Sequence, residues 1–187
     1  MSHAQEEQQG GIIIHPVIIE DYNEDWPKRF NEIKSILHQP LEGLILSIEH
    51  VGSTSVPGLA AKPIIDIDIV VESMTLLPDV ILRLDRLGYY HEGNRGIENR
   101  EAFGRRDDNV PYHINTIEKF NHHLYVCSKD SEALMNHLTF RDTLRHRPDL
   151  VVQYGALKRE LAEKYRNDRK AYTEGKTEFV HRVVCDR

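Results

Sequence analysis

The chain has 187 residues, of which 40% are hydrophobic and 29% are charged, and it carries a formal net charge of −6. This length predicts one domain, and the negative charge argues against nucleic acid as a partner. No apolar run reaches the roughly 18 residues of a membrane span, and the first residues lack the pattern of a signal peptide. The only two cysteines, Cys127 and Cys185, have no metal-type spacing, so we expect a cytoplasmic protein that does not associate with membranes.

In chain order, the pattern predicts a disordered tail over residues 1–11 and a single domain over 12–187. A strand is expected over 12–20, where Pro16 restricts it to a broken or edge position. A helix then opens near Trp26, with an apolar stripe at helical spacing. The next elements are a strand over 44–51, a strand that carries Asp66 and Asp68, a helix over 76–87, strands from Tyr89 and over 100–106, a long loop over 107–120 and a strand over 122–127.

The carboxyl-terminal part of the sequence is helical in its periodicity. Helices are predicted over 131–145, 148–165 and 168–184, the last with a weak point at Gly175. Strands grouped before helices predict an α+β fold, in which a sheet domain is followed by a helical cap over residues 129–187.

A short turn and two acidic residues form the first candidate site. The turn consists of Gly52, Ser53, Thr54 and Ser55, whose hydroxyl and N–H groups can donate to phosphate oxygens. Asp66 and Asp68 alternate with isoleucines, so both carboxylates point to one face of a strand. Because neighbouring carboxylates repel each other unless a cation neutralises them, this pair predicts a site for Mg²⁺ or Mn²⁺.

A third metal ligand or general base is less clear from the sequence. The strand over 122–127 carries no acid, and His123 and Tyr125 occupy its expected face. His123 is a candidate general base or ligand, or else a hydrogen-bonded structural histidine. Rival sources of a third carboxylate are Glu101, Asp107 and Asp108. We interpret His50, which precedes the turn, as a residue that packs or orients the loop.

Basic residues are candidates for phosphate contacts. Acidic residues dominate residues 1–136, whereas basic residues dominate residues 137–170, which suggests either a solvated helix surface or a basic segment that closes over an anion. Arg141 and Arg145 share one helix face, and Arg169 lies in a later helix. The candidate phosphate-binding residues are Lys62, Arg141, Arg145 and Lys158. The alternative is helix-surface ion pairing for the three helical residues, and pairing with the two aspartates for Lys62.

The string HVGSTSVPGLAAKPIIDIDIVV, together with the HHLYV strand and FRDTLR, resembles the GrpB-type family of the nucleotidyltransferase-fold superfamily. The resemblance covers nearly the whole chain. It implies a nucleotidyltransferase-like mixed sheet, with the Gly-Ser turn and Asp66 and Asp68 as the site. The same type of domain occurs fused to dephospho-coenzyme A kinase. Active members of the superfamily usually add a third carboxylate, which this sequence does not show at the expected strand.

These observations lead to one expected function and its alternatives. We expect a metal-dependent nucleotidyltransferase that transfers a nucleotidyl group from a nucleoside triphosphate to a small acceptor. Asp66, Asp68 and His123 are its candidate catalytic residues. The alternatives are a catalytically inactive module that binds nucleotide and metal, or a partner of a coenzyme A-related metabolic enzyme. The sequence leaves the oligomeric state open, a homo-oligomer included.

Overall fold

Five strands form a mixed sheet at the centre of the computed structural model, which describes residues 16–113 and 120–185. The strands β2 and β5 are parallel, and the other neighbouring pairs are antiparallel. This sheet and its flanking helices confirm the predicted α+β class. The strands are β1 (Ser47–Val51), β2 (Ile65–Val71), β3 (Tyr89–Gly93), β4 (Arg100–Arg105) and β5 (His122–Ser128), in the order β1-β2-β5-β4-β3 across the sheet.

The described residues form six α-helices, none of which is both long and apolar enough to cross a membrane. The prediction of one helix over 168–184 is wrong, because the helix breaks at Gly175. This glycine is the C-cap of the first of two helices, and its N–H donates to the carbonyl of Ala171. The sequence did place the weak point at this glycine, which is a poor helix former. The helices are α1 (Asp25–His38), α2 (Leu77–Arg86), α3 (Glu132–His146), α4 (Pro148–Lys164), α5 (Arg169–Glu174) and α6 (Thr177–Cys185).

Two other predicted segments differ from the structure or lie partly outside the described residues. The strand over 12–20 is reduced, in its described part, to an isolated bridge between Glu20 and Ala61. Pro16 removes a backbone donor there, in line with the broken strand that it predicted. The tail over 1–11 lies outside the described residues, as does part of the loop over 107–120. The described residues of that loop, 107–113 and 120, contain no helix or strand.

The two faces of the sheet differ in chemistry. Ile65, Ile67 and Ile69 are fully buried on one face, in a core that includes apolar side chains of α1 and α2. Because side chains alternate along a strand, Asp66 and Asp68 point to the opposite face, which α3 covers in part. The alternation of the sequence IDIDIVV therefore separates the core from the site.

The carboxyl-terminal helices pack on the loop that follows the Gly-Ser turn. Val56 and Leu59 are fully buried in a second apolar cluster, which also contains side chains from α3, α4 and α6. Burial of these side chains favours one fixed position of the helices beside the Asp-bearing face of the sheet. The helices α4, α5 and α6 can therefore supply side chains to a site that begins on β1 and β2. The helical partners in this cluster are Phe140, Leu144, Tyr154, Phe179 and Val183.

Candidate functional site

The turn after β1 brings the backbone into direct contact with the first aspartate. Gly52 has a φ of 69°, a conformation that residues with a side chain rarely adopt. A Cβ atom at this position would lie 2.9 Å from Cγ of Asp66 and still closer to its Oδ2. A glycine is therefore needed here both for the backbone conformation and for the close approach of the turn to Asp66.

Two of the three hydroxyls in the turn are used within the loop. Ser55 donates from Oγ to the carbonyl of Gly52 at 2.6 Å, and Thr54 donates to the carbonyl of Ile64 at 3.3 Å. Since the Thr54 hydroxyl proton is used in this way, its oxygen accepts from Nε2 of His50 at 3.0 Å. These bonds hold the turn in shape and confirm that His50 orients the loop.

The first carboxylate of the site is paired with a histidine of the neighbouring strand. In the register of β2 and β5, Asp66 lies opposite His123 and Asp68 lies opposite Tyr125. Nδ1 of His123 is 2.9 Å from Oδ1 of Asp66, and the imidazole is 44% exposed. An ionised carboxylate only accepts hydrogen bonds, so Nδ1 donates and the Nε2 atom of the neutral ring keeps its lone pair.

The second carboxylate is paired with a histidine that the sequence analysis did not identify. Nδ1 of His137, on α3, is 2.7 Å from Oδ2 of Asp68. The Asp68 side chain is 0% exposed, and its Oδ1 has no hydrogen-bond partner among the described residues. A buried carboxylate oxygen without a donor is costly, and a bound cation would remove that cost.

The two carboxylates suit a divalent cation that takes its remaining ligands from a substrate. Within residues 16–113 and 120–185, no group of three or more His, Cys, Asp or Glu residues is arranged to hold a metal ion. Mg²⁺ commonly binds one or two carboxylates together with waters and phosphate oxygens rather than a closed protein cage. The orphan oxygen of Asp68 and the neighbouring carboxylate of Asp66 therefore fit such an ion.

The rival acids predicted from the sequence do not join Asp66 and Asp68. Glu101 pairs with Val126 in the sheet, so it points to the opposite face, where it binds His91 at 2.6 Å. Asp107 accepts hydrogen bonds from Asn109 and Tyr112 beyond the end of β4, and neither Asp107 nor Asp108 lines the cavity beside Asp66.

A different acid, Glu49, lies opposite Asp68 in the register of β1 and β2. Its carboxylate accepts from Nη1 of Arg141 at 2.9 Å. Burial acts to raise the pKa of Glu49, but the hydrogen bond and charge of Arg141 help to outweigh it, so the pKa is lowered. Arg141 thus neutralises an acid beside the Asp pair.

Two of the predicted phosphate-binding residues brace the turn and do not line the cavity. Arg141 also donates to the carbonyl of His50 at 3.1 Å. Arg145 donates from Nε and Nη2 to the carbonyl of Ser55, at 3.1 and 2.8 Å. These bonds attach α3 to both ends of the Gly-Ser turn.

Basic side chains surround a cavity of about 630 Å³ over the turn and Asp66. Asp66 is the one acidic residue among its described lining residues. The Nζ atom of Lys176 lies 4.5 Å from the ring centroid of Tyr172, and Nζ of Lys62 lies 5.5 Å from the same centroid. Such an excess of cations is suited to a polyanionic ligand. The basic lining residues are Lys62, Arg95, Arg100, Lys158, Arg169 and Lys176.

Lys158 is the most buried of these cations. It is 2% exposed, and its Nζ donates to Oγ of Ser53 at 2.8 Å. Burial, followed by the charge of Lys176, lowers the pKa of Lys158 to about 6. Burial and Lys62 likewise lower the pKa of Lys176 to about 8. An anion in the cavity would favour the charged forms of both side chains.

We expect the protein to become more stable as the pH rises from about 6 towards 10. In this window Lys158, with an ordinary pKa of 10.5, is protonated in the unfolded chain but largely neutral in the folded protein. Raising the pH removes the proton from the unfolded state and so favours folding, whereas below pH 6 both states are protonated. The measurement is the melting temperature as a function of pH, with no nucleotide present.

Two substitutions test the origin of this pH dependence. Lys158→Met should flatten part of the rise, because it removes the buried amine. Lys170→Met is the matched control, since the Lys170 side chain is 86% exposed. If the melting temperature rose equally steeply with pH in both variants, Lys158 would not be the source of the pH dependence.

Sequence reasoning therefore found part of this site and missed the rest. Gly52, Ser53, Thr54, Asp66, Lys62, His123 and Lys158 all line the cavity, as do His137 and Lys176, which were not proposed as site residues. His137 lies on the same helix face as the buried Leu134 and as Arg141. A polar residue on an inward-facing helix stripe could therefore have indicated from the sequence that His137 belongs to the site. No such pattern connects Lys176 with β2.

Comparisons with known proteins agree on one family. A family model described as GrpB protein matches residues 16–185. The glutamate-rich protein GrpB of Alkalihalophilus pseudofirmus is 36% identical over 178 residues, which cover 93% of this chain and 97% of that protein. The UPF0157 protein YqkA of Bacillus subtilis is 34% identical over 159 residues, and the match spans 85% of this chain but only 43% of YqkA.

A solved structure shares the fold at similar identity. The crystal structure of the conserved protein GrpB from Enterococcus faecalis aligns with a TM-score of 0.76 and 30% sequence identity. The alignment covers 90% of this chain and 96% of that one.

Proposed function

The chain belongs to the GrpB protein family, and on that premise we propose that it is a divalent-metal-dependent nucleotidyltransferase. It would transfer a nucleotidyl group from a nucleoside triphosphate to a small acceptor, with pyrophosphate as the leaving group. The observation that carries the proposal is the position of Asp66 and Asp68 on one face of β2, beside the Gly52 turn and a cavity rich in cations.

The cations of the cavity would hold the triphosphate. Lys62, Lys158, Lys176 and Arg169 approach from the loop and the helices, and Gly52 leaves space for phosphate oxygens close to the backbone. The Ser53 hydroxyl is oriented by Lys158 and can donate to a phosphate oxygen. Six basic lining residues against one acid give the cavity an excess of positive charge, which suits a bound triphosphate.

Asp66 and Asp68 would hold Mg²⁺ or Mn²⁺, which supplies charge stabilisation for the leaving pyrophosphate and polarises the reacting oxygens. His123 would accept the proton of the attacking hydroxyl at Nε2, because its Nδ1 donates to Asp66. His137 would orient Asp68 through the hydrogen bond at Oδ2. Because Glu49 is already paired with Arg141, Asp66 and Asp68 are the carboxylates that would bind the metal ion.

The second candidate function is a module that binds nucleotide and metal without catalysis. It is favoured by one observation: among the described residues, no acidic residue other than Asp66 lines the cavity. The two functions differ in whether pyrophosphate is released. Both predict that Mn²⁺ with a non-hydrolysable triphosphate analogue raises the melting temperature, but only the transferase releases pyrophosphate when the natural triphosphate and a metabolite extract are supplied.

We expect His123→Gln to slow pyrophosphate release about a hundredfold or more, since a positioned general base contributes roughly 10²–10⁴ in rate. Affinity for the triphosphate analogue should change little, because glutamine keeps a hydrogen-bonding side chain beside Asp66. His146→Gln is the matched control, since His146 is exposed on α3 and binds the carbonyl of Asp142. The rate is measured as pyrophosphate released per unit time.

The outcomes separate the candidates. If the wild-type chain binds the analogue but releases no pyrophosphate from any triphosphate with the extract, the transferase is refuted and the binding module stands. If neither binding nor release is observed, both functions are refuted.

A further inference from the structure

A second cavity, of about 410 Å³, adjoins the first at the end of the sheet where β2 and β5 begin. The two cavities share four lining residues, which are Lys62, Ile64, His123 and Arg169. A volume of this size is within the range of small-molecule sites, and the shared lining residues make the two cavities direct neighbours. The residue assigned as the general base therefore faces both spaces.

The second cavity shares Lys62 and Arg169 with the first cavity and adds one cation of its own, Arg105. Arg105, at the end of β4, donates from Nη2 to Oδ1 of Asn121 at 2.8 Å, which fixes its guanidinium at the cavity wall. Burial, with the charge of Arg169 next, lowers the pKa of Lys62. Among the described lining residues, Glu20 is the one acid against Lys62, Arg105 and Arg169.

This crowding of cations indicates the charge of the ligand. Partial burial of Lys62 beside the charge of Arg169 is unfavourable unless an anion lies close to Lys62. The planar fork of Arg105 matches the oxygens of a phosphate or carboxylate group. Val17 and Ile18 add an apolar wall, so the cavity can also contact a carbon skeleton.

We propose that the second cavity binds the acceptor, and that the acceptor is a small hydroxyl compound with an oxyanionic group that lies against Arg105. The proposal rests on the proposed transferase function. The acceptor oxygen would form a bond to the α-phosphorus, and the bond from this phosphorus to the bridging oxygen would break. The hydroxyl proton passes to Nε2 of His123, and pyrophosphate leaves with the electron pair of the broken bond.

Inorganic phosphate is a suitable probe for the anionic part of this site. The amide resonances of the full chain are followed by NMR while phosphate is added to protein that is saturated with Mg²⁺ and a non-hydrolysable triphosphate analogue, so that the first cavity is filled. We expect saturable shifts at the amides of Arg105 and Asn121. Arg105→Gln should weaken phosphate binding about tenfold or more, because it removes a charge-assisted hydrogen bond.

Arg106→Gln provides the matched control for this substitution. Arg106 is the next residue, but its side chain is exposed and pairs with Asp85 outside the cavity. Its loss should change phosphate affinity by no more than about twofold. Equal affinities of the wild-type chain and Arg105→Gln, or no shift at Arg105, would overturn the proposal.

The design also distinguishes failure of this site from failure of the transferase. If the triphosphate analogue does not bind, the same titration is made on nucleotide-free protein. Phosphate binding that is sensitive to Arg105→Gln would then support the anion site and count against the proposed function. Analogue binding without phosphate binding would support the nucleotide site and refute the acceptor site.

Discussion

Replacing both Asp66 and Asp68 by asparagine is expected to reduce nucleotidyl transfer about a thousandfold or more. The two carboxylates are the acids of the site, and asparagine keeps their size while removing the charge that attracts a divalent cation. A bound cation contributes several kcal/mol to such a transition state, and about 1.4 kcal/mol corresponds to a factor of ten in rate. The measurement is pyrophosphate release, together with the rise in melting temperature caused by Mn²⁺, which should disappear.

The control for the Asp pair is Glu101→Gln. Glu101 was a rival candidate for the third carboxylate, but it pairs with His91 on the opposite face of the sheet. Its replacement should leave the rate within about twofold, as for a substitution outside the site. Retention of both metal binding and activity in the double asparagine variant would refute Asp66 and Asp68 as the metal site.

Gly52→Ala is expected to abolish nucleotide binding and to lower the free energy of unfolding by about 1–3 kcal/mol. The added Cβ would enter the space of the Asp66 carboxylate, and the positive φ of 69° is itself unfavourable for alanine. The turn or Asp66 must then move, which removes the close approach on which the phosphate site depends. Denaturant unfolding and a titration with the triphosphate analogue measure the two effects.

Gly58→Ala separates the clash from the backbone strain. Gly58 has a φ of 77°, but a Cβ at this position would meet no atom within 4 Å. The variant should show a stability loss from the backbone conformation, of about 1 kcal/mol, and normal nucleotide binding. If Gly52→Ala bound the analogue as well as Gly58→Ala does, the close contact between turn and aspartate would not matter for binding.

The fold class and the centre of the site were predictable from local patterns. Alternation along IDIDIVV placed three isoleucines in the core and both aspartates on the other face, because the side-chain period of a strand is two residues. A strand over 122–127 was also predicted, and the structure has it at His122–Ser128, but the pairing of His123 with Asp66 in the sheet was not predicted. Family membership was also evident, since long motifs carried it.

The roles of the basic residues were not predictable in this way. Helical periodicity shows which residues share a face, but it does not show which strand or cavity that face meets. Arg141 and Arg145 were predicted to contact phosphate on that basis, and the structure places them against Glu49 and the carbonyl of Ser55. Lys158 was also predicted to contact phosphate. It lines the cavity, and its Nζ donates to the hydroxyl of Ser53.

The sequence by itself therefore determined the two carboxylates, the glycine beside them and the α+β class, all of which depend on contacts between residues close in the chain or on one strand. Only the tertiary structure decided their partners. His137 meets Asp68 across 69 positions and Lys158 meets Ser53 across 105, because packing of the helices on the Gly-Ser loop brings them there. Such long-range pairs depend on how buried apolar surfaces fit together, which no local spacing of residues records.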